Sequence, residues 1–352
     1  MRTIEVNATR RYEVHVGNGL LEQTGALAAP LIRGRRGVIV SDSRVFPLYG
    51  DRLATSLTAA GFSVCSYVFP EGEASKNTQT LVSLLNFLAN EQITRSDALF
   101  ALGGGVTGDL TGLAAATYQR GMACVQVPTT LLAAVDASVG GKTAVNLDAG
   151  KNLMGAFFQP YLVVCDPTLT QTLPPEVFAD GCAEVIKYGM IASDQLLGRL
   201  RGPLVGEVLE AVIADCIAIK RDLVTRDEFD TGERQLLNFG HTVGHAIERC
   251  SNFGISHGSA VAIGMAVITR ACVAEGRCER GCASLLLELL ARFGLPDRCE
   301  YTPQELLEAA RSDKKRSGER ITLVLPERPG GCVLESCDYP TLLSMLEKGG
   351  AV

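Results

Sequence analysis

Apolar and polar positions in the first half of the chain alternate between two periodicities. Short unbroken apolar runs occur at 37–42 (GVIVSD), 98–102 (ALFAL) and 124–127 (CVQV), while 62–69 alternates like a further strand. Between them, 49–60 and 78–90 space their apolar residues as one face of a helix, the first closed by Gly61. Strands alternating with helices of about a dozen residues predict βαβ units and a parallel sheet. After about residue 160 the pattern changes. Segments 184–191, 205–224, 236–249, 260–274 and 283–293 all carry helical spacing, interrupted late by a strand-like 321–325. The stretch 166–175 holds three prolines and is the expected boundary, so the chain divides into domains at 1–170 and 171–352.

Composition narrows the class. At 352 residues, 47% of them hydrophobic and 20% charged, the chain can bury a sizeable core in two domains. A formal charge of -6 argues against a nucleic-acid grip but leaves room for a local basic pocket. The N-terminal MRTIEVNATRR lacks the apolar region of a signal peptide, and the most apolar stretch, 260–268, is half a membrane span. None of the twelve cysteines forms a CxxC pair, and Cys124 and Cys165 sit inside apolar runs. The expectation is a cytoplasmic protein with reduced thiols, without nucleic-acid or membrane partners.

Two groups of residues carry chemistry. Gly103-Gly-Gly-Val-Thr-Gly-Asp109 follows a strand, precedes the helical run 110–117, and satisfies GxGxxG through Gly103, Gly105 and Gly108. Such a turn lets backbone N–H groups approach a pyrophosphate. The acidic residue that normally follows about twenty positions on is missing, because the next strand ends at Val127-Pro128. Three of the four histidines, His241, His245 and His257, fall within seventeen residues. His241 and His245 stand at i,i+4 on one helical face, close enough to share a metal, and His257 opens the next helix. Spacing alone does not decide which of the three are ligands. Lys142, Lys151 and Lys187 lie in glycine-rich or apolar surroundings and suggest an anion pocket, although a lone lysine is ordinarily a solvated surface group. Arg120, Lys220 and Arg234 carry the same suggestion more weakly.

Longer strings make these fragments coherent. EGEASK (71–76), GGGVTGDLTGLAAATYQRG (103–121), VPTTLLAAVDASVGGKTAVN (127–146), GKNLMGAFFQP (150–160), GCAEVIKYGMI (181–191), LLNFGHTVGHAIE (236–248), HGSAVAIGM (257–265) and SDKK (312–315) occur in order. Together they resemble the 3-dehydroquinate synthase family. Asn77 replaces a common serine after EGExxK, Ser259 replaces a common glutamate, and the tail after LVLP (323–326) departs from the family pattern.

The resemblance implies an α/β fold with an N-terminal Rossmann-like parallel-sheet domain and a C-terminal, mostly helical metal-binding domain. It implies NAD, contacted by Glu71, Gly72, Glu73, Lys76, Gly105, Val106, Thr107, Gly108, Asp109, Thr129, Thr130, Asp136, Lys142 and Lys151. It implies a divalent metal, Zn or Co, on Glu184, His241 and His257, which leaves His245 for substrate phosphate together with Lys142, Asn152 and Lys187. Arg120 would come from a neighbouring subunit of a homodimer. Lys220, Arg234, Asn238 and one of Lys314 and Lys315 match carboxylate and hydroxyl contacts.

The implied reaction turns 3-deoxy-D-arabino-heptulosonate 7-phosphate into 3-dehydroquinate and phosphate. It runs through transient oxidation by NAD, phosphate elimination, re-reduction and intramolecular aldol closure, so no net redox occurs. The alternatives are another sugar-phosphate cyclase, such as a 2-deoxy-scyllo-inosose or valiolone synthase, or a metal-dependent alcohol dehydrogenase. Arg234, Asn238 and the lysine pair favour the carboxylate-bearing substrate over the first, and the phosphate-side lysines argue against the second. A non-catalytic binding protein would be expected to lose some of the matched positions, and none is lost.

Overall fold

The computed structural model describes residues 1–313 and 320–350. The chain separates into two compact units, one of Met1–Leu173 with Leu209–Phe229, the other of Pro174–Val208 with Asp230–Val352. A single cut at 170/171 therefore does not describe the division. Most of the helix Gly206–Arg226 belongs with the first unit, which its apolar periodicity could not reveal.

The first unit is built on a seven-stranded sheet. Its strands are β1 (Arg2–Asn7), β2 (Arg11–Val16), β3 (Arg36–Asp42), β4 (Ser63–Phe69), β5 (Ala98–Gly103), β6 (Ala123–Pro128) and β9 (Leu162–Cys165), in the order β1-β2-β9-β6-β5-β3-β4. All neighbours pair in parallel except β1 with β2, an antiparallel hairpin the sequence reading did not anticipate. Successive residues of the buried strands enter opposite layers, which is why their apolar runs are continuous. Ile39, Phe100 and Val125 pack with Tyr49, Leu53 and Leu57 of the Phe46–Ala59 helix on one face. Val38, Val40, Leu99 and Cys124 pack on the other with Leu81, Leu84 and Leu88 of the Thr78–Asn90 helix and Leu110 and Leu113 of the Gly105–Thr117 helix. Asn77, the departure from the family serine, caps the Thr78–Asn90 helix by accepting from Thr80 N at 2.8 Å. A two-stranded hairpin, β7 (Lys142–Leu147) with β8 (Gly150–Phe157), stands apart from the sheet.

Chain order reverses between β3 and β5: β4 lies outside β3, whereas β6 and β9 extend the other way. In open parallel sheets, ligands bind beyond the carboxyl ends of the strands at such a switch point. Segments 71–76, 103–109 and 129–130 follow the carboxyl ends of β4, β5 and β6.

The second unit is mostly helical. Its longer helices are Pro175–Ala192, His241–Cys250, His257–Ala274, Arg280–Arg292, Pro303–Asp313 and Tyr339–Lys348, accompanied by the antiparallel pair β10 (Arg320–Arg328) and β11 (Gly331–Asp338). The helix expected over 236–249 is broken. A 3-10 turn, Glu233–Asn238, ends before Gly240, which is left-handed at φ 78°. A Cβ at Gly240 would also lie 2.6 Å from Met265 Cγ, so the break is where two helices meet closely. The His257–Ala274 helix is 18 residues long, twice the apolar stretch read from the sequence. It is long and apolar enough to cross a bilayer, yet it is largely buried against its neighbours in the unit.

Candidate active site

In the second unit, three elements bring a carboxylate and two imidazoles together. Glu184 sits mid-helix in Pro175–Ala192 and is 0% exposed. His241 and His257 are the first residues of their helices. His241 Nδ1 donates to the Phe239 carbonyl at 3.1 Å, which leaves Nε2 3.7 Å from Glu184 Oε1. His257 Nε2 lies 3.5 Å from the same oxygen, and its Nδ1 lies 3.5 Å from Glu248 Oε2. Ligand atoms of Glu184, His241 and His257 all fall within 4.8 Å of one another, a group able to hold a metal ion.

Packing sets these positions. The His257 helix starts where it crosses the Pro175–Ala192 helix, and a Cβ on Gly258 would lie 2.4 Å from Asp180 Cα. Asp180 accepts from Ser256 Oγ at 2.6 Å and from Ser259 N at 3.2 Å, tying down that helix start. Ser259 thus belongs to this capping network. Burial holds Asp180 above the ordinary carboxylate range, against the hydrogen bonds that favour its charge.

Electrostatics prepare the two imidazoles differently. Burial, reinforced by the Lys187 cation, holds His241 down to about 3, so its lone pair is available at neutral pH. Burial also opposes protonation of His257, but Glu184 and Glu248 outweigh it and push this ring up to about 10. Lys187, one helical turn beyond Glu184, is buried in contact with that carboxylate.

In the first unit, the glycine turn after β5 leads directly into the Gly105–Thr117 helix. No side chain caps this N-terminus, so the amides of Gly105, Val106 and Thr107 point out of the helix where an anion is favoured. Thr129 N donates to Gly103 O at 3.0 Å, and Gln126, near the carboxyl end of β6, donates to Gly108 O at 3.1 Å. Beside the turn, buried Lys76 pairs with Asp109 at 2.5 Å and donates to Asn152 Oδ1 at 2.6 Å. Burial pushes Asp109 above the ordinary carboxylate range, with Lys76 opposing the shift. Asn146 Nδ2 donates to Glu73 Oε1 at 2.8 Å, linking the EGExxK segment to the hairpin. Lys220 is buried and held by both the carboxylate and the carbonyl of Asp136, the latter at 2.6 Å.

The family model described as 3-dehydroquinate synthase N-terminal matches residues 66–180, and that described as 3-dehydroquinate synthase C-terminal matches 181–316. The chain belongs to the 3-dehydroquinate synthase family. A 3-dehydroquinate synthase of Dehalococcoides mccartyi (strain ATCC BAA-2100 / JCM 16839 / KCTC 5957 / BAV1) is 41% identical over 99% of both chains. Among solved structures, a 2-epi-5-epi-valiolone synthase from Streptomyces hygroscopicus subsp. jinggangensis 5008 with NAD+ and Zn2+ bound is similar, with a TM-score of 0.88 and 26% identity over 99% of each chain. A 2-deoxy-scyllo-inosose synthase complexed with carbaglucose-6-phosphate, NAD+ and Co2+ has a TM-score of 0.86 and 26% identity, covering 99% of this chain and 100% of that one.

The remaining family positions divide between the units. Asn152, grouped from the sequence with Lys187 and His245, is on β8 of the first unit in the Lys76 network, whereas those two side chains belong to the second. Lys142 is exposed at the start of β7, Lys151 is half-buried, and Arg120 is exposed with φ 67°. Glu71 is exposed, its amide bonded to Ser43 Oγ beyond β3, and Gly72 is left-handed at φ 101°. Thr130 caps the turn that follows β6 by accepting from Ala133 N at 3.1 Å. Arg234 is 1% exposed in the 3-10 turn, while Asn238 and His245 are exposed. Lys314 and Lys315 lie outside the described residues. Sequence reading missed Glu248 and Asp180. Glu248 was within reach, because it continues the His241–His245 face at i+7.

Proposed function

We propose that this chain converts 3-deoxy-D-arabino-heptulosonate 7-phosphate to 3-dehydroquinate and phosphate, using NAD and a divalent ion, Zn2+ or Co2+. The observation that carries the reading is the Glu184–His241–His257 triad in a chain 41% identical to a 3-dehydroquinate synthase over nearly its full length. The donor set fits the metal: two imidazoles and a carboxylate suit zinc or cobalt and leave positions open to a substrate. Each histidine engages its Nδ1 elsewhere, one with a backbone carbonyl and one with a carboxylate, the arrangement that orients metal-binding rings. For NAD, the uncapped start of the Gly105–Thr117 helix at the switch point fits a pyrophosphate. When bound, NAD supplies reversible hydride transfer and the ion polarises a substrate oxygen.

The chain's own residues bind and orient. In this reading Lys142, Asn152, Lys187 and His245 meet the substrate phosphate, with Arg120 reaching in from a neighbouring subunit of a homodimer. Lys220, Arg234, Asn238 and one lysine of Lys314–Lys315 meet the carboxylate and hydroxyls. Lys187, Lys220 and Arg234 are cations kept almost wholly inside the fold, where they meet an anion with little competition from water. Lys76 and Asp109, joined to Asn152, tie the NAD turn to the β7–β8 hairpin. Few of these side chains are conventional acid–base groups, so positioning and charge placement carry most of the catalysis. Twelve free cysteines support a cytoplasmic, reducing compartment.

The test is phosphate release by purified, metal- and NAD-supplied protein offered three sugar phosphates. The heptulosonate phosphate should be turned over to dehydroquinate. Turnover of sedoheptulose 7-phosphate or glucose 6-phosphate, with none of the heptulosonate, assigns the chain to another cyclase activity.

A further inference from the structure

A second triad adjoins the first. His245, Glu248 and His257 also bring one ligand atom each to within 4.8 Å of one another, again two imidazoles and one carboxylate. On the His241–Cys250 helix, His241, His245 and Glu248 stand at i, i+4 and i+7, one face that serves both groups. His257 is common to both. Its Nε2 faces Glu184 and its Nδ1 faces Glu248, each at 3.5 Å, so one ring presents a nitrogen to either side. Its ring centroid is 5.2 Å from that of His241 and 6.2 Å from that of His245.

We infer that His245, Glu248 and His257 form a second, weaker site for a borderline divalent cation such as Zn2+, beside the first and sharing His257, whose Nδ1 releases its proton to solvent when both sites are filled so that the ring serves both ions as imidazolate. It is weaker because filling it disrupts the His257–Glu248 contact that orients the first ligand, and because His245 is exposed where Glu184 is buried. The inference rests on the reading above, in which the first triad holds the resident ion and His245 meets substrate phosphate. An ion in the second site occupies His245, so excess metal competes with the phosphate end of the substrate. Apparent KM rises with free Zn2+, while kcat is unchanged.

The test is Zn2+ titration of metal-free full-length protein by equilibrium dialysis with elemental analysis, and by calorimetry. Wild type should take up two ions per chain in two steps separated by about tenfold or more in affinity. His245→Ala, a change at an exposed position, should lose only the weaker step. His245→Cys, which restores a zinc ligand, should regain it. His241→Ala should lose the tight step. A single wild-type step that His241→Ala abolishes refutes the second site and leaves the first assignment standing. Two steps that both survive His245→Ala also refute it. A tight step that survives His241→Ala overturns the first assignment, and this inference with it.

Discussion

Loading of the metal triad should be governed by one proton, carried on His257. In the metal-free protein His241 is held down to about 3, first by burial and then by Lys187, and so enters coordination already neutral. His257 is the opposite case: burial disfavours its charge, but Glu184 and Glu248 prevail and raise it to about 10. A histidine raised in the folded state stabilises the fold fully below its unfolded value near 6.5, and that stabilisation is lost as pH rises through about 10. A metal ion must displace the same proton. At pH 7.5 the metal-free protein therefore carries this proton almost throughout, so each ion bound to the first triad should release about one proton. Apparent affinity should climb about tenfold per pH unit between pH 7 and 9, whereas an ordinary histidine would give less than about twofold across that whole range. Calorimetric titration with Co2+ at pH 7.5, in two buffers of different ionisation enthalpy, counts the protons directly. A count near about 0.1, the value for an unperturbed imidazole, would show that the two carboxylates do not hold that proton. Glu248→Gln provides the internal control, since losing one of the two carboxylates should lower the count.

Compared at a pH where His257 is deprotonated in both proteins, which removes the opposing gain from weaker proton competition, Glu248→Gln should weaken metal binding by about 10- to 100-fold, because the amide orients the His257 ring less firmly than a carboxylate; unchanged dissociation constants there would remove Glu248 from that role. Lys76→Met leaves Asp109 buried without its cation and should cost about 3 kcal/mol in urea unfolding, the low end for broken buried pairs because Asp109 can take up a proton instead. Adding Asp109→Leu should recover part of that loss. Gly258→Ala forces a Cβ against Asp180 and should cost about 1–3 kcal/mol; because the shifted residue adjoins His257, metal occupancy by elemental analysis should fall as well.

How much of this was legible in the sequence depends on whether the deciding interaction is local. β3, β5 and β6 could be read because both their faces are buried, so each run is apolar at nearly every position. β1 and β2 carried a fainter signal: Ile4 and Val6 alternate with polar residues, as do Tyr12, Val14 and Val16, in strands of six residues toward the edge of the sheet. The break at Gly240 was hidden because helical periodicity runs on through it. What requires a glycine at the turn is its left-handed backbone together with the close approach of Val261 and Met265, residues of the next helix.

The candidate site divides along the same line. His241 and His245 declared themselves at i,i+4, but Glu184 precedes His241 by more than fifty residues, and only the family resemblance connected them. Lys220 shows the limit most clearly. Read singly it was an ordinary surface lysine in an amphipathic segment whose neighbours in sequence belong to the helical half. The fold returns most of that segment to the first unit, and the lysine is buried against Asp136, 84 residues away. A charge inside an apolar pattern therefore identifies a site only once its counter-charge is known, and for Asp136 and Lys220 that partner is supplied by the chain's return to its first unit.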